Sequence, residues 1–465
     1  MAGMSIGGLA SGLDTAAIID QLIAVESNQK VLLSQRLSAT QSQAAAYRAI
    51  NTRFDALRSA AEALTKDPAW QATKTSSSSS SVTAASVSGA ASGSITFSVD
   101  QVARAHSVVS STTWTAAAGQ TAADLDFGAT SLDLLVNGTT TTVSLDKDGN
   151  GTATLAEAAA AINAAGLGVT ATALKVSDTG FRLSITSATT GAASEFSATG
   201  FTTATQGRNA QITVGDAGTG YSISSPTNTF TGVIAGTTLT VTKPETGVTV
   251  DVAADPDAVA GKVESLVNAV NGLLDGISSY TDATSSSAAL KGDSTLRGLA
   301  TQVLDVIAYA IGGDGTAAQI GLQLTRDGHY TFDKNAFTEK LAADPTLVKR
   351  MFQASTPTAG PDGDLTTTAD NGSTPVGIAA KLLGLATSAT DSTIGSLTVL
   401  AKGADDRAKG LQDSIDAWDL RLEMRRDTLT RQFTAMETAL STMRNQANWL
   451  SSAISSLPTP SAKKE

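Results

Sequence analysis

Apolar residues near the start of the chain recur with the period of a helix. Four of them are spaced by four, three and seven residues: Ile18, Leu22, Val25 and Leu32. Between Tyr47 and Leu64 the spacing alternates between three and four residues, which is typical of a helix that packs against another helix. This second run ends before Asp67-Pro68, because proline disfavours helical backbone in the residue that precedes it. The sequence therefore predicts a helical N-terminal region with one apolar face.

The C-terminal region has the most regular pattern in the sequence. Apolar residues recur at every seventh position: Ile415, Leu422, Leu429, Met436, Met443, Leu450 and Leu457. From Leu429 onward, further residues fill the four-residue step of the repeat: Phe433, Leu440, Ala447 and Ile454. A long helix with so narrow a stripe cannot bury it within itself, so it must lie against another long helix. That helix is either the N-terminal one, in an antiparallel hairpin within one chain, or a helix supplied by an assembly.

Between the helical ends the apolar period changes to two, which predicts strands. The clearest alternations are Ile95/Phe97/Val99, Leu132/Leu134/Val136 and Val248/Val250/Val252. One helix, from Leu155 to Ala165, interrupts them. The run TSSSSSSV (Thr75 to Val82) is expected to be a flexible linker because of its composition. The middle of the chain is thus predicted to be a β-rich head of two subdomains, one inserted into the other.

The helical period returns at Asp255-Pro256, where aspartate suits the N-cap and proline suits the first helical position. A second helix is expected from about Leu296 to Ala310, and Asp344-Pro345 is expected to begin a short one. Asp327-Gly328 lies between alternating apolar residues from Leu322 to Phe332, which predicts a hairpin. The order of helix, strands and helix indicates an α+β fold.

Composition excludes several classes of protein. The 465 residues allow roughly three domains. A net charge of −11 argues against nucleic acid and anionic lipid as partners, because binding there depends on clustered Lys and Arg. The absence of cysteine excludes disulfides and thiolate metal sites. No transmembrane helix is expected, since no apolar run approaches 18 residues. A cleavable secretory signal is also not expected, because no basic residue precedes Lys30 and no continuous apolar run follows the start.

Motifs for catalysis are weak, so we expect no enzyme activity. Gly3 to Gly7 (GMSIG) matches the consensus sequence of a nucleophile elbow, but that motif requires a strand before the serine. His106 and His329 are the two imidazoles in the sequence. A single histidine is more often a core or surface residue than a general base. No catalytic residue and no cofactor are predicted.

The segment DKDGNGTATLAE (Asp146 to Glu157) matches the consensus sequence of a calcium-binding loop. A strand rather than a helix is predicted before it, so the usual context of that loop is missing. The alternative is a polar turn in which Thr154 caps the following helix and Glu157 completes a capping box. The second interpretation is favoured, and no metal ligand is predicted.

Six segments, in their order along the chain, resemble the family of bacterial flagellar filament capping proteins, also called flagellar hook-associated protein two. The segments are GGLASGLDTAAIIDQLIAVES, SITFSVDQVARAHSVVSS, NAQITVGDAGTGYSISSPTNTFTGVIAGTTLTV, KGDSTLRGLA, IGLQLTRDGHYTFD and RQFTAMETALSTMRNQANWL. The resemblance covers most of the chain and is weakest between about residues 111 and 205. A match of six segments in the same order along the chain identifies a family far more specifically than a match of any one segment.

The resemblance implies a domain plan. Residues 1–42 and 432–465 would form a terminal coiled-coil assembly domain that is flexible in the monomer. Residues 43–74 and 253–431 would form a helical leg domain with a small hairpin. Residues 75–110 and 203–252 would form one β-rich head subdomain, with residues 111–202 inserted as the outer one.

The resemblance also implies a function. Members of this family are exported through the flagellar type III channel and form a ring-shaped plate at the filament tip, where the plate helps flagellin to fold and insert. The expected partners are further copies of the chain, in a pentamer, together with flagellin and a flagellar export chaperone. The expected location is extracellular, at the distal tip of the flagellum. Adhesion by the exposed head is compatible with this role.

The assembly contacts are expected on the apolar faces of the two terminal helices. They are Leu9, Leu13, Ile18, Leu22, Leu429, Phe433, Met436, Leu440, Met443 and Leu450. Two other functions remain open: a flagellin or hook-filament junction subunit, and a secreted calcium-binding adhesin. The segments from Asn209 to Val252 and from Gly321 to Asp333 resemble the capping family more than the first alternative. The second depends on the single loop at Asp146 to Glu157.

Overall fold

A computed structural model describes residues 12–215, 219–361, 364–366 and 371–456 of the chain. The chain divides into two compact units. A helical unit contains the residues up to Thr65 and those from Lys262 onward, and a β-rich unit contains Lys66–Gly261. Both units contain helices or strands that the hydrophobic pattern predicts.

The helices of the described residues follow one another in chain order. They are α1 Thr15–Glu26, α2 Asn28–Thr65, α3 Leu155–Ala164, α4 Pro256–Thr281, α5 Ser294–Ala308, α6 Lys334–Ala343, α7 Pro345–Gln353, α8 Ile378–Thr390 and α9 Ser396–Ser455. Short 3-10 turns occur at Asp67–Ala69, Ala192–Ser194 and Ala317–Ile320. No helix in these ranges is both long and apolar enough to span a membrane.

The strands are mostly short. They are β1 Thr73–Ser77, β2 Val82–Ser86, β3 Gly93–Gln101, β4 Ala105–Ser110, β5 Trp114–Thr115, β6 Ser131–Val136, β7 Thr139–Ser144, β8 Val169–Lys175, β9 Gly180–Thr190, β10 Phe196–Ala198, β11 Phe201–Thr205, β12 Ala210–Val214, β13 Tyr221–Ser225, β14 Thr229–Thr231, β15 Thr237–Val241, β16 Glu245–Ala254, β17 Leu322–Leu324, β18 Tyr330–Phe332, β19 Ser355–Thr358 and β20 Gly372–Pro375.

The helical unit is organised around α2. The predicted three-and-four pattern is confirmed, because its apolar face is buried: Tyr47, Ile50, Phe54, Leu57, Ala61 and Leu64. This face packs against α8 and α9. On another side of α2, Arg53 donates a hydrogen bond to the carbonyl of Gly272 in α4 at 2.5 Å. These contacts make α2 the central helix of a bundle.

The predicted helix start and hairpin are also confirmed. The Asp255 carboxylate accepts a hydrogen bond from the Ala258 N–H at 3.0 Å, so it caps α4 at Pro256. Strands β17 and β18 form an antiparallel pair, and Gly328 in the loop between them has a φ of 77°, which glycine adopts without strain. Asn271 of α4 holds this hairpin by hydrogen bonds to both the N–H and the carbonyl of Tyr330, each at 2.8 Å.

The β-rich unit is built from antiparallel sheets with the strand orders β1-β16-β3-β12-β13, β14-β15-β2, β10-β6-β7 and β11-β4-β9-β5, with β8 also paired to β9. Its described residues bury two hydrophobic cores. The first contains Val82, Phe97, Val99, Ala103, Ala210, Ile212, Phe230, Leu239, Val241, Val248 and Val250. The second lies under α3 and includes Leu132, Leu134, Leu145, Leu155, Ile162, Leu183, Ile185 and Phe196. The alternating residues that predicted strands supply both cores.

The linker predicted at Thr75 to Val82 is wrong. Strand β1 begins at Thr73 and pairs with β16, so that Thr75 lies opposite Val252 and Ser77 opposite Val250. The hydroxyl of Thr75 donates a hydrogen bond to the Ala84 carbonyl at 2.7 Å. A polar strand is stabilised here by a ladder with a segment far along the chain, which local composition does not reveal.

Candidate assembly surface on the terminal helices

The helices near the two ends of the described chain lie side by side in the helical unit. Arg426 of α9 donates a hydrogen bond to Asp20 of α1 at 2.6 Å, and Arg425 donates to Glu26 at 3.1 Å. Farther along, Lys30 of α2 pairs with Asp419 of α9 at 2.5 Å. Residue numbers rise on one side of this contact and fall on the other, so the helices are antiparallel. The intrachain hairpin proposed from the sequence therefore forms over this stretch.

The start of α1 is fixed by its own cap. Asp14 accepts a hydrogen bond from the Ala17 N–H at 3.0 Å, which satisfies an N–H group of the first turn. Of the apolar residues in α1, Ile19 is buried and Ile18 is half-buried. Leu22, and Leu13 just before the helix, are exposed. Leu9, the remaining N-terminal contact residue, lies outside the described residues.

The heptad residues of α9 are buried as far as Leu429 and exposed after it. Ile415, Leu422 and Leu429 are buried, with Leu429 only 7% exposed. The next positions of the repeat, Met436 and Met443, are 36% and 57% exposed. Leu450 is 54% exposed, whereas Phe433 and Leu440 are half-buried. The structure thus buries Leu429, brings Phe433 beside α1, and leaves the later heptad residues exposed.

The loss of burial coincides with the beginning of α1. Thr15, the first residue of α1, lines a cavity with Thr434 and Glu437 of α9, and the helices are antiparallel, so positions of α9 after Glu437 lie past the start of α1. In addition, a strict seven-residue repeat drifts by about 20° per heptad around a straight α-helix. Only a left-handed supercoil around a partner helix keeps such a repeat on one side. The exposed apolar surface of α9 that contains Met436, Met443 and Leu450 is the outer stripe.

Several contact residues escaped the sequence pattern. The ion pairs of Asp20, Glu26 and Lys30 were not predicted, although the charged run from Arg421 to Arg431 opposite an acidic helix is a usable signal. Glu437 is 7% exposed and lies where the heptad predicts Met436 instead. No periodic pattern points to a buried carboxylate at that position.

The two histidines have structural contacts. The Nδ1 of the buried His106 accepts a hydrogen bond from the Gly207 N–H at 3.3 Å. His329 Nε2 lies 2.8 Å from an oxygen of Asp275, and this hydrogen bond raises the pKa of His329. Gly3 to Gly7 lie outside the described residues, so the structure does not place the serine of that motif.

The loop that resembles a calcium site is a hydrogen-bonded turn. The Asp146 carboxylate accepts hydrogen bonds from the N–H groups of Gly149, Asn150 and Gly151 at 2.8 to 3.2 Å. Partial burial by itself acts to raise the pKa of Asp146, but these hydrogen bonds outweigh it and hold the pKa below its usual value. The predicted capping box of Thr154 and Glu157 is confirmed. Within the described ranges, no cluster of three or more His, Asp or Glu side chains is arranged to hold a metal ion.

Two family models match the chain. The model described as flagellar hook-associated protein 2 C-terminus matches residues 207–445, and the model described as flagellar hook-associated protein 2 N-terminus matches residues 11–106. The first alone covers more than half of the 465 residues. The segment between the two matches contains most of the second core of the β-rich unit.

Individual relatives agree with these matches. The chain is 26% identical to flagellar hook-associated protein 2 of Escherichia coli K12, over 97% of this chain and 98% of that protein. It is 31% identical to lateral flagellar hook-associated protein 2 of Vibrio parahaemolyticus, over 57% of this chain and 64% of that protein. A crystal structure of domains D1-D2-D3 of the flagellar cap protein FliD from Escherichia coli aligns with a TM-score of 0.57 and 25% identity, and covers 77% of this chain. That alignment covers 99% of the crystallised chain.

Proposed function

The chain belongs to the flagellar hook-associated protein 2 family, and from this we propose that it caps the growing filament of a bacterial flagellum. In this proposal several copies form a plate at the filament tip. The plate retains exported flagellin and promotes its folding and insertion. The chain acts as a structural assembly factor and has no catalytic role.

The outer stripe of α9 is the observation that supports self-assembly most directly. Met436, Met443 and Leu450 are exposed although they continue the heptad repeat whose earlier members are buried. A repeat of this kind is matched to a supercoiled partner helix. We assign the partner helices to neighbouring copies in the cap, with Leu440 at the edge of the same contact. A pentameric ring remains the expected stoichiometry.

We assign different roles in the cap to the two units. The helical unit carries the contact surface, which fits a leg that seats on the filament, while the β-rich unit with its two cores fits a head exposed to incoming flagellin. The terminal residues 1–42 and 432–465 are assigned to assembly, and 111–202 to the outer part of the head. Export through the flagellar channel with the help of a chaperone, an extracellular location at the tip, and adhesion by the head complete the proposal.

Leu440→Asp tests the proposed contact. Leu440 is half-buried in the single chain, so the isolated protein should keep its circular dichroism spectrum and melt at only a slightly lower temperature. In an assembled cap the new carboxylate is removed from water without a partner, so it should weaken the contact between copies by about 3–5 kcal/mol. Cells with this variant should export the protein but lose monomeric flagellin to the medium and carry short filaments or none.

Thr442→Asp is the matched control, because position 442 is exposed and lies about 160° around the helix from Leu440. It should support filaments of normal length. Normal filaments with Leu440→Asp would contradict the proposed contact. A Leu440→Asp protein that no longer folds would show that the surface is completed within one chain.

A further inference from the structure

Glu437 occupies a buried position on α9 that the heptad assigns to its neighbour Met436. Buried residues of α9 advance in steps of seven from Ile415 to Leu429, and the next buried residue is Glu437, eight positions later. A single residue step turns the helix by about 100°. The face of α9 that meets α1 in this chain is therefore rotated away from the outer stripe.

Glu437 is 7% exposed and lines a cavity at the N-terminal end of α1. Glu437 and Phe433 of α9 line a cavity of about 200 Å³ together with Thr15, Ala16 and Ile19 of α1. Thr15 and Ala16 are the first two residues of that helix. First-turn N–H groups lack acceptors inside the helix and carry partial positive charge, so they favour an acceptor oxygen nearby. The other charged groups lining the cavity, Asp20 and Arg426, bond to each other.

Apolar contacts alone define the position of α1 poorly. Ile19 is its well-buried apolar residue, and α9 offers Phe433, Met436 and Leu440 within two turns on neighbouring faces. A helix with one buried apolar side chain can shift by a turn between such positions at little loss of apolar contact. A polar residue at a single core position is known to specify register in helix pairs at some loss of stability.

We infer that Glu437 is the positioning residue that fixes the register of α1 on α9. Sliding α1 by one turn would move Glu437 away from the cavity at the first turn, either past the start of α1 or against the apolar middle of that helix. The inference deepens the proposed function, because α1 and α9 are the helices assigned to assembly. Its test uses the isolated full-length chain without flagellin, so it can fail while the cap proposal holds.

The absence of cysteine makes a distance measurement straightforward. Spin labels on Ala24→Cys and Ser441→Cys, both at exposed positions, report the offset between α1 and α9 by double electron–electron resonance. A slip of one helical turn changes this offset by about 5 Å. Hydrogen exchange of residues 15–26 shows in parallel whether α1 remains docked.

The unaltered chain should give a single distance. Glu437→Leu and Glu437→Ala should each add a second population displaced by about 5 Å, while exchange of α1 amides stays within about threefold of the unaltered chain. Glu437→Gln keeps an acceptor oxygen and should restore the single distance. Glu423→Leu, an exposed change on the same helix, should also leave a single distance.

Three results would overturn the inference. One is an unchanged single distance in both Glu437→Leu and Glu437→Ala. Another is exchange of α1 that becomes tenfold faster or more in these variants, which would mean that Glu437 holds α1 in place without selecting a register. The third is a second population in Glu437→Gln. Circular dichroism of each variant confirms that the labelled chain is folded.

Discussion

Asp20 accepts a hydrogen bond from Arg426 at 2.6 Å, although 406 positions separate the two residues. Both side chains are more than half exposed. In the neighbouring pair, Arg425 is 49% exposed and Glu26 is 40% exposed. Exposed ion pairs of this kind contribute about 0–1 kcal/mol each and are screened by salt. The docking of α1 on α9 therefore depends on weak contacts together with Ile19.

Salt should loosen α1 selectively. Raising sodium chloride from about 0.05 M to about 1 M shortens the screening length several-fold, so amide exchange of residues 15–26 should become faster. Exchange in the part of α2 around Phe54 should not change, because its contacts are apolar and fully buried. Mass-spectrometric hydrogen exchange at both salt concentrations measures this. Equal acceleration in both segments would contradict the prediction.

The stability of the helical unit should depend strongly on Phe54. This side chain is 0% exposed, so Phe54→Ala should lower the free energy of unfolding by about 3–5 kcal/mol through lost apolar burial and a residual cavity. Val31→Ala changes an exposed residue of the same helix and should stay within about 0.5 kcal/mol. Guanidinium unfolding followed by far-ultraviolet circular dichroism compares them. A loss below about 1 kcal/mol for Phe54→Ala would be inconsistent with its place in the core.

The contact of His329 with Asp275 should give a pH-dependent stability. The hydrogen bond that His329 donates to the Asp275 carboxylate raises the pKa of His329 in the folded chain. Its contribution is therefore fully present below the unfolded value of about 6.5 and is lost as the pH rises through the folded pKa. Asp275→Asn should lower the melting temperature at pH of about 5.5 and have no effect at about 8.5.

The size of that effect should be small, because both side chains are substantially exposed to solvent. Glu264→Gln, at an exposed position of the same helix α4, is the matched control and should show no such pH dependence. A difference between Asp275→Asn and the unaltered chain that grows toward alkaline pH would have the wrong sign for this mechanism.

The turn at Asp146 should not respond to calcium. Its carboxylate already accepts backbone N–H groups, and Glu157 accepts hydrogen bonds from the N–H and hydroxyl of Thr154. Ligand that binds the folded state would raise its stability, so equal melting temperatures in calcium and in chelator are expected, both for the unaltered chain and for Asp146→Ala. A calcium-dependent rise that Asp146→Ala abolishes would show that the loop is a metal site.

The sequence predicted those parts of the fold in which local periodicity decides the structure. The spacing of three and four residues from Tyr47 to Leu64 matches the period of a helix, and this face is buried. The alternation of Val248, Val250 and Val252 matches the period of a strand, and these residues are buried as well. The strand from Thr73 to Ser77 was not predicted, since its stability comes from pairing with β16 almost two hundred residues later. Local composition contains no information about such a partner.

The candidate surface was only partly accessible to sequence reasoning. The heptad repeat identified Leu429, which is buried, and Phe433, which lines a cavity with residues of α1. It could not predict that Glu437 is buried and Met443 is exposed, because that depends on where α1 lies along α9. The burial of Glu437 becomes visible only when α1 is in place.

The most direct test of the central claim is the position of the protein on the flagellum. Immunogold electron microscopy with antibodies against the β-rich unit can compare the tips, shafts and bases of filaments. The cap proposal predicts label at the distal tip and none along the shaft. Label distributed along the whole filament would identify a filament subunit, and label confined to the base would identify a junction protein; either result would contradict the cap proposal.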